Sequence, residues 1–555
     1  MRKLRVFFIA WLLLLPALSH GADLYEEQLN KGISETEPYS YLLMQQSRTD
    51  PADAETLLKE AQRYSPNLPA VYFELSKEKF SLNARGMFET FDYLRQGLDA
   101  YKRNFWWSFM LASSLFSSLV LSFLVSVFII VIIRLPKDVP LFLHDIKETK
   151  NRLLLLLMFV FALLGPLYLL GCLLMLISFY RVKWDRVVFY LYIMFLVLSP
   201  LLLYVFSLVF SSSTSGEFKA VVQVNESKGN AYALSLLGNK KGPDDLFSYA
   251  LALKRTGNYD QAIEIYDRLI RMDPDPLVYN NLANCYFAMN NFDRAKEFYL
   301  KAKDLRPLPS ALYNLSQTYR ETMDFNKGDE NFLAAQALNR EAVSQYRAIA
   351  GRNPNRIVID ETLTFSALLR HARERVVRSS TFGLSVLFPL FIPVVALIMA
   401  LFFFVSDRSF KNWAYRCTRC GRILCSRCEK HILWGHMCLQ CYRSMVRIEE
   451  LDAKERIARL LAVYEHRQKR RSVIRFFSFL LPGVPQIYAG KVLQGFLFLW
   501  PFVFFLFIPV LNSFFNLEMS GFSHVWLNIL SLVLLSITYV LSNIITRRRI
   551  AKGWL

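Results

Sequence analysis

Long apolar runs alternate along this chain with polar stretches in which apolar residues recur at helical spacing. Six apolar runs stand out, and they occupy residues 105–133, 153–180, 187–210, 382–405, 496–511 and 526–545. Runs of this kind predict helices that enter or cross a lipid bilayer, where a helix satisfies its own backbone polar groups. No run carries a charged residue at its centre, which gives little support to an ion or proton pathway.

The composition agrees with a membrane protein. Hydrophobic residues make up 54% of the 555 positions, and the mean hydropathy is +0.24. A formal net charge of +20 could attract nucleic acid, but basic residues more often flank membrane spans on the cytoplasmic side. We therefore expect contact with membrane lipid and no nucleic-acid partner.

Residues 1–22 have the three parts of a secretory signal peptide. Arg2, Lys3 and Arg5 form a charged start, residues 7–18 form an apolar run, and small residues follow up to Ala22. The apolar run is shorter than a membrane span, so the pattern predicts cleavage. The mature chain would then begin outside the cytoplasm, which predicts a multi-pass protein of the bacterial inner membrane.

The second apolar run, 153–180, is the run least consistent with a full crossing of the membrane. Gly165 and Pro166 divide it near its middle, and basic residues flank both of its ends. Six crossings would leave the cysteines and the basic clusters near residues 469 and 547 outside, against the positive-inside tendency. A re-entrant hairpin at 153–180 removes this conflict and places residues 212–380 outside. In the alternative, 212–380 stays in the cytoplasm and prolines break the fourth run.

An internal repeat of 33 residues runs through the polar stretch 212–380. Small residues recur in two series and aromatic residues in two more: Ala250, Ala283 and Ser316; Ala262, Ala295 and Gly328; Tyr259, Phe292 and Phe325; Tyr266, Tyr299 and Phe332. The segments 257–274 and 290–307 resemble second helices of tetratricopeptide repeats. The resemblance implies a helical solenoid whose concave face binds a protein partner. Residues 23–104 resemble a degenerate helix pair of the same family, with a generic helical hairpin as the alternative.

Six of the eight cysteines lie in three C-x-x-C pairs, with two histidines between the second and third pairs. Two such pairs complete the tetrahedral thiolate site that Zn²⁺ prefers. Disulfides or a redox dithiol are alternatives, but three pairs at this spacing favour structural zinc, as one or two ions. The candidate metal ligands are Cys417, Cys420, Cys425, Cys428, Cys438, Cys441, His431 and His436.

The cysteine spacing resembles the later part of cross-braced zinc fingers of the FYVE and RING type. In such fingers alternate pairs share a metal, which implies that the first and third pairs hold one ion. The middle pair has no cysteine partners upstream in this chain, so the two histidines are the nearby substitutes. The resemblance implies a docking module and not lipid recognition, because the upstream basic-histidine motif is absent.

A second signature, PGVPQIYAGKVLQG at residues 482–495, comes before the last two apolar runs. It resembles the P-G-x-G-Q-x-Y-x-G-K-x-x-x-G pattern of small bacterial two-helix membrane domains, with Pro485 in place of one glycine. Glycines let helices approach closely, so the resemblance implies a tight bend at the bilayer surface or a partner contact inside the membrane.

These features predict a mainly α-helical, polytopic membrane protein with a tetratricopeptide-like solenoid insert and a small zinc-binding module. No G-x-S-x-G, H-E-x-x-H or Walker-type loop occurs, so we expect no enzyme. The predicted function is a scaffold or adaptor that binds protein partners, with a thiol redox or assembly enzyme, or a transport or channel subunit, as alternatives. The expected segments are a signal peptide (1–22), a helical domain (23–104), membrane segments (105–211), the repeats (212–380), a transmembrane helix (381–405), the zinc module (406–445), a basic helix (446–475) and a membrane hairpin (476–555).

Overall fold

The computed structural model shows a mainly α-helical protein, as the sequence predicts. The repeat unit contains the described residues up to 110 and from 208 to 379, and the apolar unit contains those within 111–207, 387–515 and 525–552. The predicted signal peptide, residues 1–22, lies outside the described residues. The structure describes residues 24–30, 32–149, 159–161, 163–352, 358–379, 387–409, 414–425, 437–445, 453–515 and 525–552.

Five helices form the first polar stretch: α1 Leu24–Asn30, α2 Glu37–Thr49, α3 Ala54–Tyr64, α4 Pro69–Glu78 and α5 Ala84–Arg103. Helices α2 and α3 pack against each other, as do α4 and α5. Leu58 and Ala61 of α3 and Leu75 of α4 are buried, as their helical spacing predicts. The Asn83 side chain accepts a hydrogen bond from the Gly86 amide and so caps the start of α5. Helical pairs are therefore present in this stretch, and their assignment to the tetratricopeptide repeat family stays a prediction.

Three helices of different length follow: α6 Phe105–Thr149, α7 Pro166–Phe179 and α8 Val187–Ser213. Helices α6 and α8 are long and apolar enough to cross a membrane. Helix α7 has 14 residues, or about 21 Å at 1.5 Å per residue, which is short of the roughly 30 Å hydrocarbon layer. Gly165 precedes α7 at φ 132°, a conformation that few residues other than glycine adopt.

Two described residues, one before the second apolar run and one at its end, lie in contact. Asp145 precedes the run and Tyr180 ends it, and the Tyr180 hydroxyl donates a hydrogen bond to the Asp145 carboxylate at 2.8 Å. A helix that crossed a bilayer would separate these two residues by the thickness of the membrane. Residues 150–158 and 162 lie outside the described residues. The contact between Asp145 and Tyr180 is the observation that bears on the predicted re-entrant hairpin, and the hairpin itself stays a prediction.

Helices α11 to α16 form three successive helix pairs at the predicted 33-residue spacing. Ala262, Ala283 and Ala295 are fully buried where paired helices touch, and Tyr266 and Tyr299 fill the space between pairs, which confirms the repeat register. The helices of this stretch are α9 Gly216–Asn225, α10 Ala231–Leu236, α11 Pro243–Arg255, α12 Tyr259–Met272, α13 Pro276–Ala288, α14 Phe292–Leu305, α15 Pro309–Glu321, α16 Phe325–Leu338, α17 Arg340–Arg352 and α18 Phe365–Ser379.

Among the remaining helices, α19, α23 and α24 are also long and apolar enough to cross a membrane. With α6 and α8, the described residues contain five such helices. Helix α19 continues through Pro393, so this proline does not divide the fourth apolar run. The predicted basic helix is helical from Ala453 onward, and residues 446–452 lie outside the described residues. The elements are α19 Leu387–Ser409, β1 Tyr415–Arg416, β2 Ile423–Leu424, α20 Leu439–Met445, α21 Ala453–Leu480, α22 Val484–Ala489, α23 Val492–Phe515 and α24 Val525–Ala551.

Large aromatic and aliphatic side chains form the core of the apolar unit. Phe123 of α6, Tyr192 of α8, Phe403 of α19 and Phe496 of α23 all belong to one buried cluster. At Gly171 of α7, an added Cβ would lie 3.1 Å from atoms of both Tyr192 and a methionine of α19. Because this contact is tighter than ordinary packing, a glycine lets α7 approach its neighbours closely.

Charged side chains join the helix ends at one end of the apolar unit, which we call the polar end. Asp138 of α6 pairs with Arg181 at 2.6 Å. Arg186 pairs with Asp407 of α19 at 2.6 Å. The Asp185 carboxylate accepts a hydrogen bond from a backbone amide of α23 at 2.8 Å. These contacts bring the ends of α6, α7, α8, α19 and α23 together.

The signature at 482–495 forms a tight bend between α21 and α23. Gly483 has φ 79°, and an added Cβ there would lie 2.1 Å from the carbonyl oxygen of Gly495. Both the backbone conformation and the close approach therefore require glycine at 483. The fully buried Gln486 side chain donates a hydrogen bond to the Thr546 hydroxyl of α24 at 2.9 Å. The predicted bend is present, and membership of a two-helix membrane family stays a prediction.

Candidate metal centre and repeat groove

The first C-x-x-C pair lies in the turn between β1 and β2. The strands are antiparallel, with Tyr415 opposite Leu424. The Cys417 amide donates to the Arg422 carbonyl at 2.8 Å, which closes the turn. Gly421 has φ 78°, and an added Cβ would lie 2.6 Å from the imidazole of His466. This glycine lets the turn present both sulfur atoms on one side.

The third C-x-x-C pair starts α20 and completes a four-cysteine cluster. The Sγ atoms of Cys417, Cys420, Cys438 and Cys441 all lie within 4.8 Å of one another. A tetrahedral site with Zn–S bonds of about 2.3 Å separates sulfur atoms by roughly 3.8 Å. The Sγ atoms of Cys420 and Cys438 are 3.8 Å apart. The donor set and its spacing therefore fit a tetrahedral thiolate metal site.

Burial and backbone amides act in opposite directions on these thiols. Burial raises the pKa of Cys438 to about 11, and it also raises the pKa of Cys441. Burial acts in the same direction at Cys417, but backbone N–H groups, among them those of Cys420 and Cys438, outweigh it and hold the Cys417 pKa at about 7. Cys417, Cys438 and Cys441 are buried. A cation at the centre of the cluster would compensate the charge that their ionisation creates.

The middle cysteine pair is not part of this cluster as far as the structure describes it. Cys425 is buried against Leu141 and Ala414. Cys428, His431 and His436 lie outside the described residues, so the second metal site stays a prediction.

A short extended segment, residues 358–363, lies along the first helices of the repeat pairs. We call this segment the strap. Its Ile359 side chain is buried against Leu312, Tyr313 and Val343. Because α11, α13 and α15 line the inner face of the solenoid, the strap occupies the surface on which tetratricopeptide repeats were expected to bind a partner.

Asparagine side chains hold alternate residues of the strap by their main chain. Asn314 of α15 accepts from the Ile359 amide at 2.7 Å and donates to its carbonyl at 2.8 Å. Asn281 of α13 makes the same pair of bonds to Glu361, both at 2.8 Å. Asn225 accepts from the amide two residues further along, that of Leu363, at 2.7 Å. Asn281 and Asn314 are one repeat apart and bind strap residues that are two positions apart. Each repeat of the solenoid therefore corresponds to two residues of an extended chain.

A basic pocket receives the strap residue between these contacts. The Asp360 carboxylate pairs with the Lys254 ammonium at 2.6 Å and accepts from the Asn284 amide at 2.8 Å. Arg255 lies 3.5 Å from the same carboxylate. The strap therefore presents an apolar side chain and then an acidic one to a groove that matches both.

Sequence reasoning missed the strap, although one signal was present. Asn281 and Asn314 are 33 residues apart, the period of the repeat, and both are buried on the inner helices. Buried amide side chains need hydrogen-bond partners, so a repeated buried asparagine indicates a polar chain lying against the solenoid.

Comparison with known proteins agrees with the repeat geometry. Two sequence models described as tetratricopeptide repeat match the chain, one at residues 243–285 and the other at residues 276–307. No curated protein matches the chain at a significant level. The helices between residues 243 and 307, which supply Lys254, Asn281 and Asn284 to the groove, are therefore tetratricopeptide repeats.

Proposed function

We propose that this protein is a non-enzymatic, membrane-anchored adaptor whose repeat groove binds an extended, acidic segment of a partner protein. The strap is the resident occupant of that groove and shows the chemistry that the groove accepts. The observation that supports this proposal most strongly is the paired hydrogen bonding of Asn281 and Asn314 to alternate strap residues.

Main-chain contacts of this kind accept any extended sequence, so side-chain pockets have to supply selectivity. One pocket is apolar and holds Ile359. The next pocket pairs Lys254 with Asp360, both well buried. A partner segment with an apolar residue followed by an acidic residue satisfies both pockets. A segment without the acidic residue leaves the Lys254 charge buried and unpaired, which is costly.

The strap competes with any such partner because it belongs to the same chain. A tethered segment has an effective concentration on the order of millimolar. A free partner binds only when the strap leaves, so its apparent affinity falls by the fraction of molecules with an open groove. The proposed adaptor is therefore held closed until a partner of higher affinity displaces the strap.

The apolar unit supports the membrane part of the proposal. Five helices are long and apolar enough to cross a bilayer, and the contact between Asp145 and Tyr180 favours a re-entrant hairpin for the remaining apolar run. Basic side chains are concentrated at the polar end, which favours the cytoplasmic side of a bacterial inner membrane for that end. The side on which residues 212–380 lie stays a prediction.

The four-cysteine cluster supports a structural zinc ion as the second element of the adaptor. Four sulfur donors close a tetrahedral site and leave no position for a substrate, which is typical of structural and not catalytic zinc. A bound ion would fix β1, β2 and α20 together, because these elements carry all four donors. A thiol redox role, the earlier alternative, is less consistent with four convergent sulfur atoms than with one isolated pair.

A peptide that copies the strap tests the groove. We would replace residues 358–363 with a Gly-Ser sequence in the full chain and measure the fluorescence anisotropy of a labelled peptide with the sequence of residues 356–364. The strap-replaced chain should bind at least about tenfold more tightly than the wild type, since its groove is open. Adding Asn281→Ala should abolish the gain, and Asn331→Ala, a buried asparagine of α16 that does not touch the strap, serves as the matched control. If the variant with the replaced strap is folded and does not bind the peptide, the proposal is refuted.

A further inference from the structure

A cavity of about 450 Å³ with a strongly basic lining lies at the polar end of the apolar unit. We call it the basic cavity. Its walls come from α6, from the two residues that follow α7, from β1 and the turn after it, and from α21 and α22. Six cationic side chains line it: Arg134, Lys137, Arg181, Arg416, Lys469 and Arg470.

Asp138 is the one carboxylate among the described lining residues, and two arginines already share it. Arg134 and Arg181 both form ion pairs with this fully buried side chain. Arg134 also donates to the carbonyl of Tyr488 at 3.0 Å. The carboxylate and the carbonyl fix the two guanidinium groups in place, and one positive charge remains uncompensated.

The other four cations face no described carboxylate within ion-pair distance. The Lys137 ammonium donates to the Tyr488 carbonyl at 3.0 Å and lies 3.0 Å from the centroid of its ring. Arg416 donates to the Lys137 carbonyl at 2.8 Å. Carbonyl groups orient cations but cancel no full charge, so the lining has a formal charge of +5 when all six cations are protonated and His466 is neutral.

The protonation equilibria reflect this crowding of positive charge. Burial, together with the charge of Arg134, lowers the pKa of Arg181 to about 10. Burial, together with the charges of Arg470 and Lys137, lowers the pKa of His466. An anion inside the cavity would relieve the repulsion between these groups.

We propose that the basic cavity binds a phosphate group, with Lys137, Arg416 and Arg470 as the donors that contact it. Guanidinium groups match the geometry of phosphate oxygens with two parallel hydrogen bonds, and an ammonium adds a compact charge. A carboxylate ligand would leave more of the surplus charge uncompensated, because it carries one negative charge where a phosphate monoester carries nearly two.

The position of the cavity leaves two sources for the phosphate. Arg134 belongs to the candidate span Phe105–Ile146, and Tyr488 shortly precedes the candidate span Val492–Phe514. The cavity thus lies where membrane spans end, a level at which basic pockets bind anionic lipid headgroups. It is also open to soluble phosphate compounds, and binding experiments separate the two.

The test uses the purified full chain in an uncharged detergent with two probes. In one arm, radiolabelled inorganic phosphate is measured by equilibrium dialysis. In the other arm, phosphatidic acid is titrated and retained lipid is counted by native mass spectrometry, with phosphatidylcholine as the control lipid. The test variant carries Lys137→Gln and Arg470→Gln, since neither side chain has a described carboxylate partner. The matched control is Arg471→Gln, an exposed arginine next to Arg470.

The double variant should bind at least about tenfold more weakly, and the control should bind like the wild type. Binding of phosphatidic acid without inorganic phosphate identifies a lipid headgroup as the ligand, and binding of inorganic phosphate identifies a soluble compound. Should the double variant fail to fold, Arg470→Gln alone is expected to lower the affinity severalfold. A wild-type chain that binds neither probe, or equal binding by the test and control variants, would overturn the proposal.

Discussion

Truncation of Asn314 should open the strap without unfolding the repeats. In the wild type, the Asn314 side chain accepts a hydrogen bond from the buried Ile359 amide and donates to its carbonyl. After Asn314→Ala the carbonyl keeps two donors, Asn280 at 3.1 Å and Asn284 at 3.0 Å. The Ile359 amide loses the acceptor that the structure gives it.

The cost of the substitution depends mainly on the Ile359 amide, because the Ile359 carbonyl keeps other donors. A buried amide left without an acceptor costs about 1–3 kcal/mol. The bond to the carbonyl adds roughly 1 kcal/mol or less, because other donors remain. The two contributions add to about 1–4 kcal/mol. The middle of this range, about 2–3 kcal/mol, raises the open fraction roughly 30- to 150-fold at 1.4 kcal/mol per factor of ten.

Proteolysis by a glutamyl endopeptidase measures the open fraction, because cleavage after Glu361 requires the strap to leave the groove. When closing is fast relative to cleavage, the cleavage rate follows the open population. Asn314→Ala should accelerate cleavage after Glu361 at least about tenfold over the wild type. Asn331→Ala removes a buried local bond in α16 and should change this rate less than about twofold. Equal acceleration by both variants would show that general destabilisation, and not loss of the Asn314 contacts, opens the strap.

Three further predictions concern other parts of the chain. Ala295→Glu places a charge at a fully buried helix contact and should destabilise the repeats by more than about 3 kcal/mol in urea denaturation, whereas Leu300→Glu, at a more exposed position of the same helix, should cost less than about 1 kcal/mol. Cys417→Ser should release bound zinc and expose residues 414–445 to protease, and Cys285→Ser should leave the metal content unchanged. Burial raises the Glu35 pKa from 4.5 to about 8, so the unfolded chain loses this proton first, and stability falls as pH rises from about 4.5 to about 8. Glu35→Gln should flatten this pH dependence of the free energy of unfolding. An unchanged pH dependence would show that Glu35 is not its cause.

The repeat positions could be predicted because their signal is local. Each helix pair needs small residues where its own helices touch, so Ala262 and Ala295 recur at a fixed period in the sequence and are buried in the structure. Gly165 could likewise be identified as a break, because glycine has a low helix propensity and a following proline disfavours the helical conformation of the residue before it. The convergence of Cys417, Cys420, Cys438 and Cys441 agrees with the pairing that the cross-braced resemblance implies.

The length of α6 could not be predicted in the same way. The apolar run ends at Ile133, and a charged residue follows, so the sequence favours a helix end there. The helix instead continues to Thr149 through two prolines. Asp138, one turn after Arg134, pairs with it, and Arg181 from a distant part of the chain completes the ion pair. Burial of these charges depends on a tertiary contact that no local pattern records.

The strap and the basic cavity were missed for a related reason. The strap has six residues and no helical periodicity, and the residues that hydrogen-bond to it lie between 45 and 138 positions away in the chain. The cavity collects single side chains from separate elements, such as Arg134, Arg181, Arg416 and Arg470. Contacts of this kind form only after the elements have packed, so they leave no spacing that sequence reasoning can use.

Hydrogen exchange at single strap amides reports whether the strap occupies the groove. The wild-type full chain would be compared with the Asn281→Ala, Asn314→Ala double variant by mass spectrometry with fragmentation that resolves single residues. The Ile359 and Glu361 amides donate to these two asparagines. We expect both amides to be protected in the wild type and to exchange at least about 100-fold faster in the variant. Rapid exchange of both amides in the wild type, at the rates of the variant, would contradict a strap held in the groove.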